Sequence, residues 1–326
     1  MKGIHGSLLS GVLMIWLVSV AASFVTNGAT KPEEFNTTEP IVTTEAHEYV
    51  ITVRVDGESI QMPLEEYLVG VILAELPGDF HLQAKMAQAV AARTFAVKMG
   101  TQVLRHGAGT ICGESSCCQG YLSEEAFLSD GGNPVTLLQA KQAVADTAGL
   151  VITYGGALID ATYFSCSGGK TEDAAAVWGA EVPYLQAVDS PGEEDTKYYT
   201  DTVRFTTEAF ARALGDDLSG SPDRWFGAVV RSEGGGVTSM MIDGREYTGV
   251  QLRSLLGLRS ANFTITPLRD GVLVTTRGYG HRVGLSQYGA DAMAESGSDY
   301  LTILKHYYSG VEVVKMEKLG VAFGVD

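Results

Sequence analysis

The chain opens with a long segment of apolar and small uncharged residues. There is no Asp, Glu, Lys or Arg between Ile4 and Thr30, and residues 8–25 read LLSGVLMIWLVSVAASFV. About eighteen apolar residues are enough to cross a bilayer as a helix. The pattern therefore predicts a transmembrane anchor over residues 7–25. A cleaved signal peptide is the alternative, because Ala21-Ala22-Ser23 resembles a cleavage site.

The residues around this segment predict how the chain is organised about a membrane. Lys2 is the only flanking base, so residues 1–6 are expected to be a cytoplasmic stub and the chain to cross the cell membrane once. Residues 26–47 combine Pro, Thr and Glu with few large apolar residues, which is typical of a tether. Residues 48–326 are then a folded domain outside the cytoplasm.

The pattern within residues 48–326 changes from alternation to helical spacing and back. An alternating run from Tyr49 to Met62 around Asp56-Gly57 predicts a hairpin. Pro63 suits the first turn of a helix ending near Leu76, and an alanine-rich run predicts a second helix over residues 82–104. Short strands and helices follow without regular βαβ alternation. The fold class is therefore α+β, as a single irregular domain with a substrate cleft.

Composition narrows the class of protein without identifying its chemistry. The 326 residues include 39 acids and 23 bases, for a net charge of −16, and 45% are hydrophobic. This balance excludes disorder of the whole chain and argues against nucleic acid as a partner, because nonspecific binding needs a basic surface. Residues 80–113 and 271–290 nevertheless contain bases and no acid. If these two segments meet, they are expected to form a positive groove that contains Glu75.

Glu75 is the first candidate for chemistry. It is the only ionisable residue between Tyr67 and Asp79, in the apolar sequence VGVILAELP. Apolar surroundings disfavour the charged carboxylate and raise its pKa towards the range useful to a general acid. A glutamate at the end of a helix can equally point into water. The residue pattern leaves both interpretations open.

Three further segments contain candidate binding residues. Arg93 lies among alanines, where an arginine either extends to solvent or binds an anion. The segment SCSGGKT contains Ser167 and Lys170, but Phe164 stands where a phosphate-binding loop needs its first glycine. The segment GYGHRVGLSQYGA lacks the final glycine of a hydrolase nucleophile elbow. Its candidates for contacting a sugar are Tyr279, His281, Gln287 and Tyr288.

The cysteines allow two interpretations. The chain has four, at positions 112, 117, 118 and 166. An even number in an exported protein suggests disulfides, although the adjacent Cys117 and Cys118 are poorly placed to pair with each other. A metal site of Cys112 with Cys117 or Cys118, completed by His or Cys, is the alternative.

Taken together, these segments resemble the stage II sporulation protein D family. The matching motifs are LAELP, KMAQAVAARTFA, SCSGGKT, VWG followed by PYLQAV, and GYGHRVGLSQYGA. They occur in the family's order over about residues 47–310. The resemblance implies a membrane-anchored peptidoglycan lytic transglycosylase that cleaves peptide-stripped glycan strands during forespore engulfment. It makes Glu75 the catalytic acid and Arg93 a functional arginine.

The resemblance also implies partners and leaves one cofactor open. The implied partners are the amidase stage II sporulation protein P and the membrane protein stage II sporulation protein M. Relatives of this domain include amidase enhancers, so a non-catalytic wall-binding activator of an amidase is the alternative function. The chemistry requires no cofactor. In some family members the cysteine loop, residues 107–120 here, resembles a zinc site built from the first cysteine of the loop and a histidine. Cys117 would replace that histidine in this chain, and a thiolate is an acceptable zinc ligand.

Overall fold

The computed structural model describes residues 49–55, 57–100, 103–104, 106–108, 110–215 and 217–320. The predicted stub, anchor and tether lie outside these residues. Within the described part of the chain, no helix is long and apolar enough to cross a membrane.

The described residues form a mixed α+β domain of short elements, as expected. The α-helices are α1 (Leu64–Glu75), α2 (Leu82–Gly100), α3 (Glu124–Ser129), α4 (Pro134–Asp146), α5 (Ala174–Trp178), α6 (Thr207–Leu214), α7 (Gly249–Leu256), α8 (Gln287–Glu295) and α9 (Tyr300–Tyr307). The strands are β1 (Val50–Val55), β2 (Glu58–Pro63), β3 (Val103–Leu104), β4 (Gly107–Ala108), β5 (Thr110–Cys112), β6 (Leu150–Tyr154), β7 (Ala157–Leu158), β8 (Tyr163–Phe164), β9 (Thr200–Thr206), β10 (Phe226–Arg231), β11 (Val237–Ile242), β12 (Arg245–Thr248), β13 (Phe263–Leu268), β14 (Gly271–Arg277), β15 (Leu285–Ser286) and β16 (Glu312–Lys315).

The elements predicted near the start of the domain are confirmed. Strands β1 and β2 pair antiparallel around the turn at Gly57, and β1 also pairs with β5 in parallel. Helix α1 follows Pro63 and ends at Glu75, because Leu76 adopts an extended backbone just before Pro77. Helix α2 ends at Gly100, earlier than the predicted end near residue 104.

Two hydrophobic clusters stabilise the domain. The larger one surrounds α1 and α2 and includes Tyr67 and Ala91, both fully buried. The smaller one lies between α6, α7 and the sheets formed by β9–β14, and is centred on Phe210 stacked against Trp225. Helix α8 begins where the Ser286 hydroxyl accepts a hydrogen bond from the Gly289 backbone N–H. The candidate site uses residues near both clusters.

Candidate active site

Glu75 occupies the last position of α1, and its half-buried side chain extends into a cavity. The Gly120 backbone N–H donates a hydrogen bond to Glu75 Oε1 at 2.6 Å. The Gln287 amide donates to Oε2 at 3.5 Å, which is a weak contact. The carboxylate is therefore oriented by one strong donor and one distant donor.

The surroundings of Glu75 favour its protonated form. Burial raises the pKa of the carboxyl above its ordinary value, while the hydrogen bonds from Gly120 and Gln287 lower it by less. A raised pKa suits a general acid, which must be protonated before it can donate to a leaving group. The structure places the Glu75 carboxyl half-buried at a cavity rather than fully in water.

The cavity beside Glu75 has a volume of about 460 Å³. This volume lies within the usual range for small-molecule and sugar sites, roughly 300–1,000 Å³. Its lining comes from α1, α2, the cysteine loop, β8 and the residues beside it, α7, the segment after β14 and the start of α8. The lining residues are Glu75, Phe95, Ser115, Ser116, Cys117, Cys118, Ala161, Thr162, Tyr163, Phe164, Ser165, Arg253, Tyr279, Gly280, His281 and Gln287. Glu75 is the only carboxylate among these lining residues.

A buried polar network holds the loop that contacts Glu75. The Tyr67 hydroxyl donates to Gln119 Oε1 at 3.1 Å, and the Gln119 amide donates to the Tyr163 hydroxyl at 3.0 Å. Burial raises the pKa of both tyrosines well above their ordinary value, so both stay neutral. Because Gln119 directly precedes Gly120, this network fixes the position of the N–H that orients Glu75.

Three of the predicted sugar-contact residues meet Glu75 at this cavity. Tyr279 is 41% exposed and Gln287 is nearly buried. The His281 ring contacts the rings of Phe164 and Trp178. Burial, together with the nearby positive charge of Arg253, lowers the pKa of His281 to about 4. The imidazole is therefore neutral at pH 7, and its Nδ1 accepts a hydrogen bond from the Val283 backbone N–H at 3.1 Å.

Comparison with known proteins identifies the family. A family model described as "SpoIID: Stage II sporulation protein" matches residues 57–154. The chain is 37% identical to stage II sporulation protein D of Bacillus amyloliquefaciens over 265 residues, which cover 80% of this chain and 77% of the relative. The corresponding protein of Bacillus subtilis (strain 168) is 37% identical over 266 residues, covering 80% and 77%. The chain belongs to the stage II sporulation protein D family.

A more distant relative has a different name. The amidase enhancer of Bacillus subtilis (strain 168) is 30% identical over 300 residues, which cover 74% of this chain and 39% of that protein. The family match over residues 57–154 includes Glu75, Gly120 and the cysteine loop. Tyr279, His281 and Gln287 lie outside it.

Arg93, expected to be functional from the stage II sporulation protein D resemblance, does not reach the cavity. It is 0% exposed, and its guanidinium donates to both carboxylate oxygens of Glu65, at 2.9 and 2.6 Å. It also donates to the carbonyls of Val144 and Leu150. The prediction that Arg93 binds substrate is therefore wrong in this structure, since its donors join α2 to α1 and to the end of α4.

Ser167, also predicted to contact substrate, is fully buried. Both its backbone N–H and its hydroxyl donate to Glu193 Oε2, at 2.9 and 2.6 Å. A hydroxyl enclosed in this way cannot contact a polymer, so the prediction for Ser167 is wrong as well. Its glycine-rich turn is built around a buried carboxylate.

Lys170 and Tyr288 lie outside the lining of the Glu75 cavity. Lys170 pairs with Glu233 at 3.0 Å beside a different, open cavity. Tyr288 is half-buried and packs its ring against Phe80 and Tyr198. The structure does not bring either residue to Glu75.

The predicted positive groove is wrong in its composition. The described bases of residues 80–113 and 271–290 do not line the Glu75 cavity. Most have partners elsewhere: Lys85 donates to Gly78 and Gln139, Arg93 pairs with Glu65, Lys98 with Asp160 and Arg282 with Glu172. Arg277 lines the open cavity near Lys170. Arg105 lies outside the described residues. The base that does line the cavity is Arg253 of α7, which lies in neither segment.

The cysteine loop forms a cluster of possible metal ligands. His106, Cys112, Cys117 and Cys118 each offer one ligand atom, and these atoms all lie within 4.8 Å of one another. His106 Nε2 is 3.3 Å from Cys117 Sγ. All four cysteines of the chain are free, so the structure does not contain the disulfides considered from the sequence. One histidine and three thiolates are a donor set that suits zinc.

Sequence reasoning missed Gly120 and Arg253 of the site, and it left open which His or Cys completes the cysteine cluster. The structure completes that cluster with His106 and Cys118. Arg253 has no motif around it in the sequence. It reaches the cavity because α7 packs there, about 180 residues after Glu75 in the chain.

Proposed function

We propose that this protein is a peptidoglycan lytic transglycosylase that acts on peptide-stripped glycan strands. The observation that supports this most is a single carboxyl group, Glu75, with a raised pKa in a cavity where no other lining residue is a carboxylate. Glycosidases that use water normally need two carboxylates. A transglycosylase needs one, because the muramic acid residue provides its own nucleophile.

In the proposed reaction, neutral Glu75 protonates the glycosidic oxygen between N-acetylmuramic acid and N-acetylglucosamine. The bond from C1 to that oxygen breaks, and the resulting carboxylate accepts the proton of the muramic acid O6 hydroxyl as O6 attacks C1. The products are a new N-acetylglucosamine 4-hydroxyl end and a 1,6-anhydro-muramic acid end, without consumption of water. Tethering the nucleophile to the substrate gives it a high effective concentration.

The neighbours of Glu75 are suited to both protonation states. The Gly120 N–H at 2.6 Å would stabilise the carboxylate formed after the first proton transfer. Tyr279, neutral His281 and Gln287 line the cavity. Tyr279 offers an aromatic face and a hydroxyl to sugar rings, Gln287 offers an amide, and the His281 ring adds a further flat surface. Their proposed role is to hold the glycan beside the acid.

We also propose a structural zinc ion at His106, Cys112, Cys117 and Cys118. Such an ion would supply no chemistry to the reaction and would brace the loop that leads to Gln119 and Gly120. Elemental analysis of purified protein should find about one zinc per chain. The substitution Cys112→Ser should remove the metal, whereas Cys166→Ser, which lies outside the cluster, should retain it.

The proposed biological setting follows from the family. We place the activity in forespore engulfment during sporulation, with the domain on the outer face of the cell membrane between the mother-cell and forespore membranes. Stage II sporulation proteins P and M are the proposed partners. The amidase would remove peptides and thereby prepare the strands that this enzyme cleaves.

Digestion of peptide-free glycan strands, analysed by mass spectrometry, tests the chemistry. The wild type and the control Glu66→Gln, an exposed glutamate of the same helix, should release anhydro-muramic acid ends. Glu75→Gln should reduce that release by about a thousandfold, the scale of a lost general acid. Hydrated reducing ends instead of anhydro ends would identify a hydrolase and contradict the proposed mechanism.

A second candidate function is favoured by the similarity to the amidase enhancer of Bacillus subtilis. A non-catalytic enhancer would bind glycan strands and stimulate an amidase without cleaving the strands. Normal sedimentation of wild-type protein with strands, together with no cleavage by either wild type or Glu75→Gln, would support the enhancer.

A further inference from the structure

Arg253 lies where two neighbouring cavities meet. Its side chain lines the Glu75 cavity and also a neighbouring cavity of about 140 Å³. The two cavities share Arg253, Gly280 and His281. A ligand that extends from one cavity to the other would therefore pass the guanidinium.

The guanidinium of Arg253 has no acidic partner among the described residues. Within the described part of the chain, its one hydrogen bond runs from Nε to the Leu258 carbonyl at 3.4 Å, which is long. By contrast, the buried Arg93 and Arg282 each pair with a glutamate. Burial lowers the pKa of Arg253, which shows that its charge is poorly solvated. A half-buried cation without a counter-ion is costly, and an anionic ligand would relieve that cost.

The other lining residues indicate what sort of anion fits. His281 is neutral at pH 7, so Arg253 is the positive charge that lines this cavity. The smaller cavity is also lined by Glu172 and Arg282, which pair with each other at 3.0 Å, so Arg253 is its base without an acidic partner among the described residues. Trp178 of this cavity is 48% exposed, and its ring centroid lies 5.5 Å from that of His281. An exposed indole face suits a sugar ring, and a guanidinium fork suits a carboxylate. The site combines recognition of a sugar with recognition of an acid.

We propose that Arg253 binds the free lactyl carboxylate of a muramic acid residue in the glycan strand. This inference rests on the proposed function for the identity of the polymer and adds how stripped strands are recognised. In a strand that still bears peptides, the same carboxyl is an amide and carries no charge. Arg253 is therefore a specificity-determining residue, which selects strands from which the peptides have been removed.

The test measures binding rather than cleavage, with full-length protein carrying Glu75→Gln. The probes are peptide-free glycan strands, the same strands with their carboxylates converted to methylamides, and N-acetylglucosamine oligomers of equal length. The Glu75→Gln protein should bind the carboxylate strands roughly tenfold or more tightly than the other two probes, the scale of one charge-assisted hydrogen-bond pair. Adding Arg253→Gln should remove that preference, while Arg253→Lys should retain part of it.

Arg277→Gln is the matched control, because Arg277 is exposed and lines a different cavity. It should leave the preference for carboxylate strands unchanged. If Arg253→Gln weakens binding to all three probes equally, the residue has only a structural role and the inference is overturned. An unchanged preference in Arg253→Gln would overturn it as well.

The outcomes separate this inference from the proposed function. If the wild type releases no anhydro ends but Arg253 still confers the preference, the transglycosylase proposal fails and carboxylate recognition remains. If cleavage occurs and Arg253→Gln retains the full preference, only the inference fails. Thermal unfolding of Arg253→Gln should occur at or above the temperature of its parent, since no ion pair is broken and a half-buried unpaired charge is removed.

Discussion

Glu75 and Glu193 are two carboxylates withdrawn from bulk water, and the donors around them differ sharply. Glu193 is 0% exposed. Its oxygens accept hydrogen bonds from the backbone N–H groups of Ser167 and Gly168, from the hydroxyls of Ser167, Ser190 and Ser286, and from the thiol of Cys166. Glu75 has one close donor and one distant donor, and it opens onto a cavity. Glu193 therefore holds together the chain segments that supply its donors, whereas the Glu75 carboxylate remains accessible to a ligand.

The same contrast separates the arginines. Arg93 and Arg282 are buried, and each pairs with a glutamate, so they brace the fold. Arg253 is half-buried at the cavity and lacks an acidic partner in the described part of the chain. Burial alone therefore does not identify a functional charge in this protein. The feature on which we base the proposed role of Arg253 is partial burial beside a cavity without an acidic partner among the described residues.

The largest effect on stability is expected for Glu193→Gln. The substitution removes the charge and places an amide N–H against a set of donors, so we expect the free energy of unfolding to fall by about 3–5 kcal/mol. Urea unfolding measures it. Glu75→Gln is the matched substitution and should change the free energy of unfolding by less than about 1 kcal/mol. Equal losses in both variants would contradict the distinction between the two carboxylates.

Arg93→Met should also act on stability rather than on substrate. It leaves Glu65 without its partner, but Glu65 is 39% exposed and can be solvated, so the expected loss is about 2 kcal/mol. The KM for peptide-free strands should remain that of the wild type, measured well below the unfolding temperature. A raised KM with unchanged stability would instead restore Arg93 as a binding residue.

Gly120→Ala should affect activity through the orientation of Glu75. A Cβ at this position would lie 3.0 Å from Glu75 Oε1 and 3.3 Å from the Ala74 Cβ, so the carboxylate must move. We expect kcat to fall roughly tenfold, as for a modest displacement of a catalytic group. Ser116→Ala, an exposed position on the same cavity, is the control. Wild-type kcat in Gly120→Ala would mean that this contact does not set the geometry.

The smallest effect is a shift in pH dependence. An acid must be protonated to act, so activity should be full below the raised pKa of Glu75 and should fall as pH increases through it. Gln287→Leu removes a donor that lowers this pKa, and the alkaline limb of kcat should then move to higher pH. The pH–rate profile of each protein measures the shift. A move to lower pH would show that Gln287 does not stabilise the carboxylate.

The sequence was informative where a local pattern expressed a local requirement. The hairpin of β1 and β2 followed from alternation and a glycine turn, and α1 from Pro63 and the apolar spacing after it. Glu75 stood out because its neighbours are apolar. Arg93 and Ser167 were assigned wrongly because their partners, Glu65 and Glu193, lie 28 and 26 positions away in the chain, and no local pattern shows that pairing.

The sequence by itself determined the α+β class, the family and the chemical candidates at Glu75, Tyr279, His281 and Gln287. These depend on residue type, spacing and motif, which are properties of the chain. The tertiary structure alone decided which charges are paired. It enclosed Arg93 and Ser167, joined His106 to the cysteines and placed Arg253 on the Glu75 cavity. Solvation and pairing depend on distances between segments that are remote in the chain, and those distances exist only after folding.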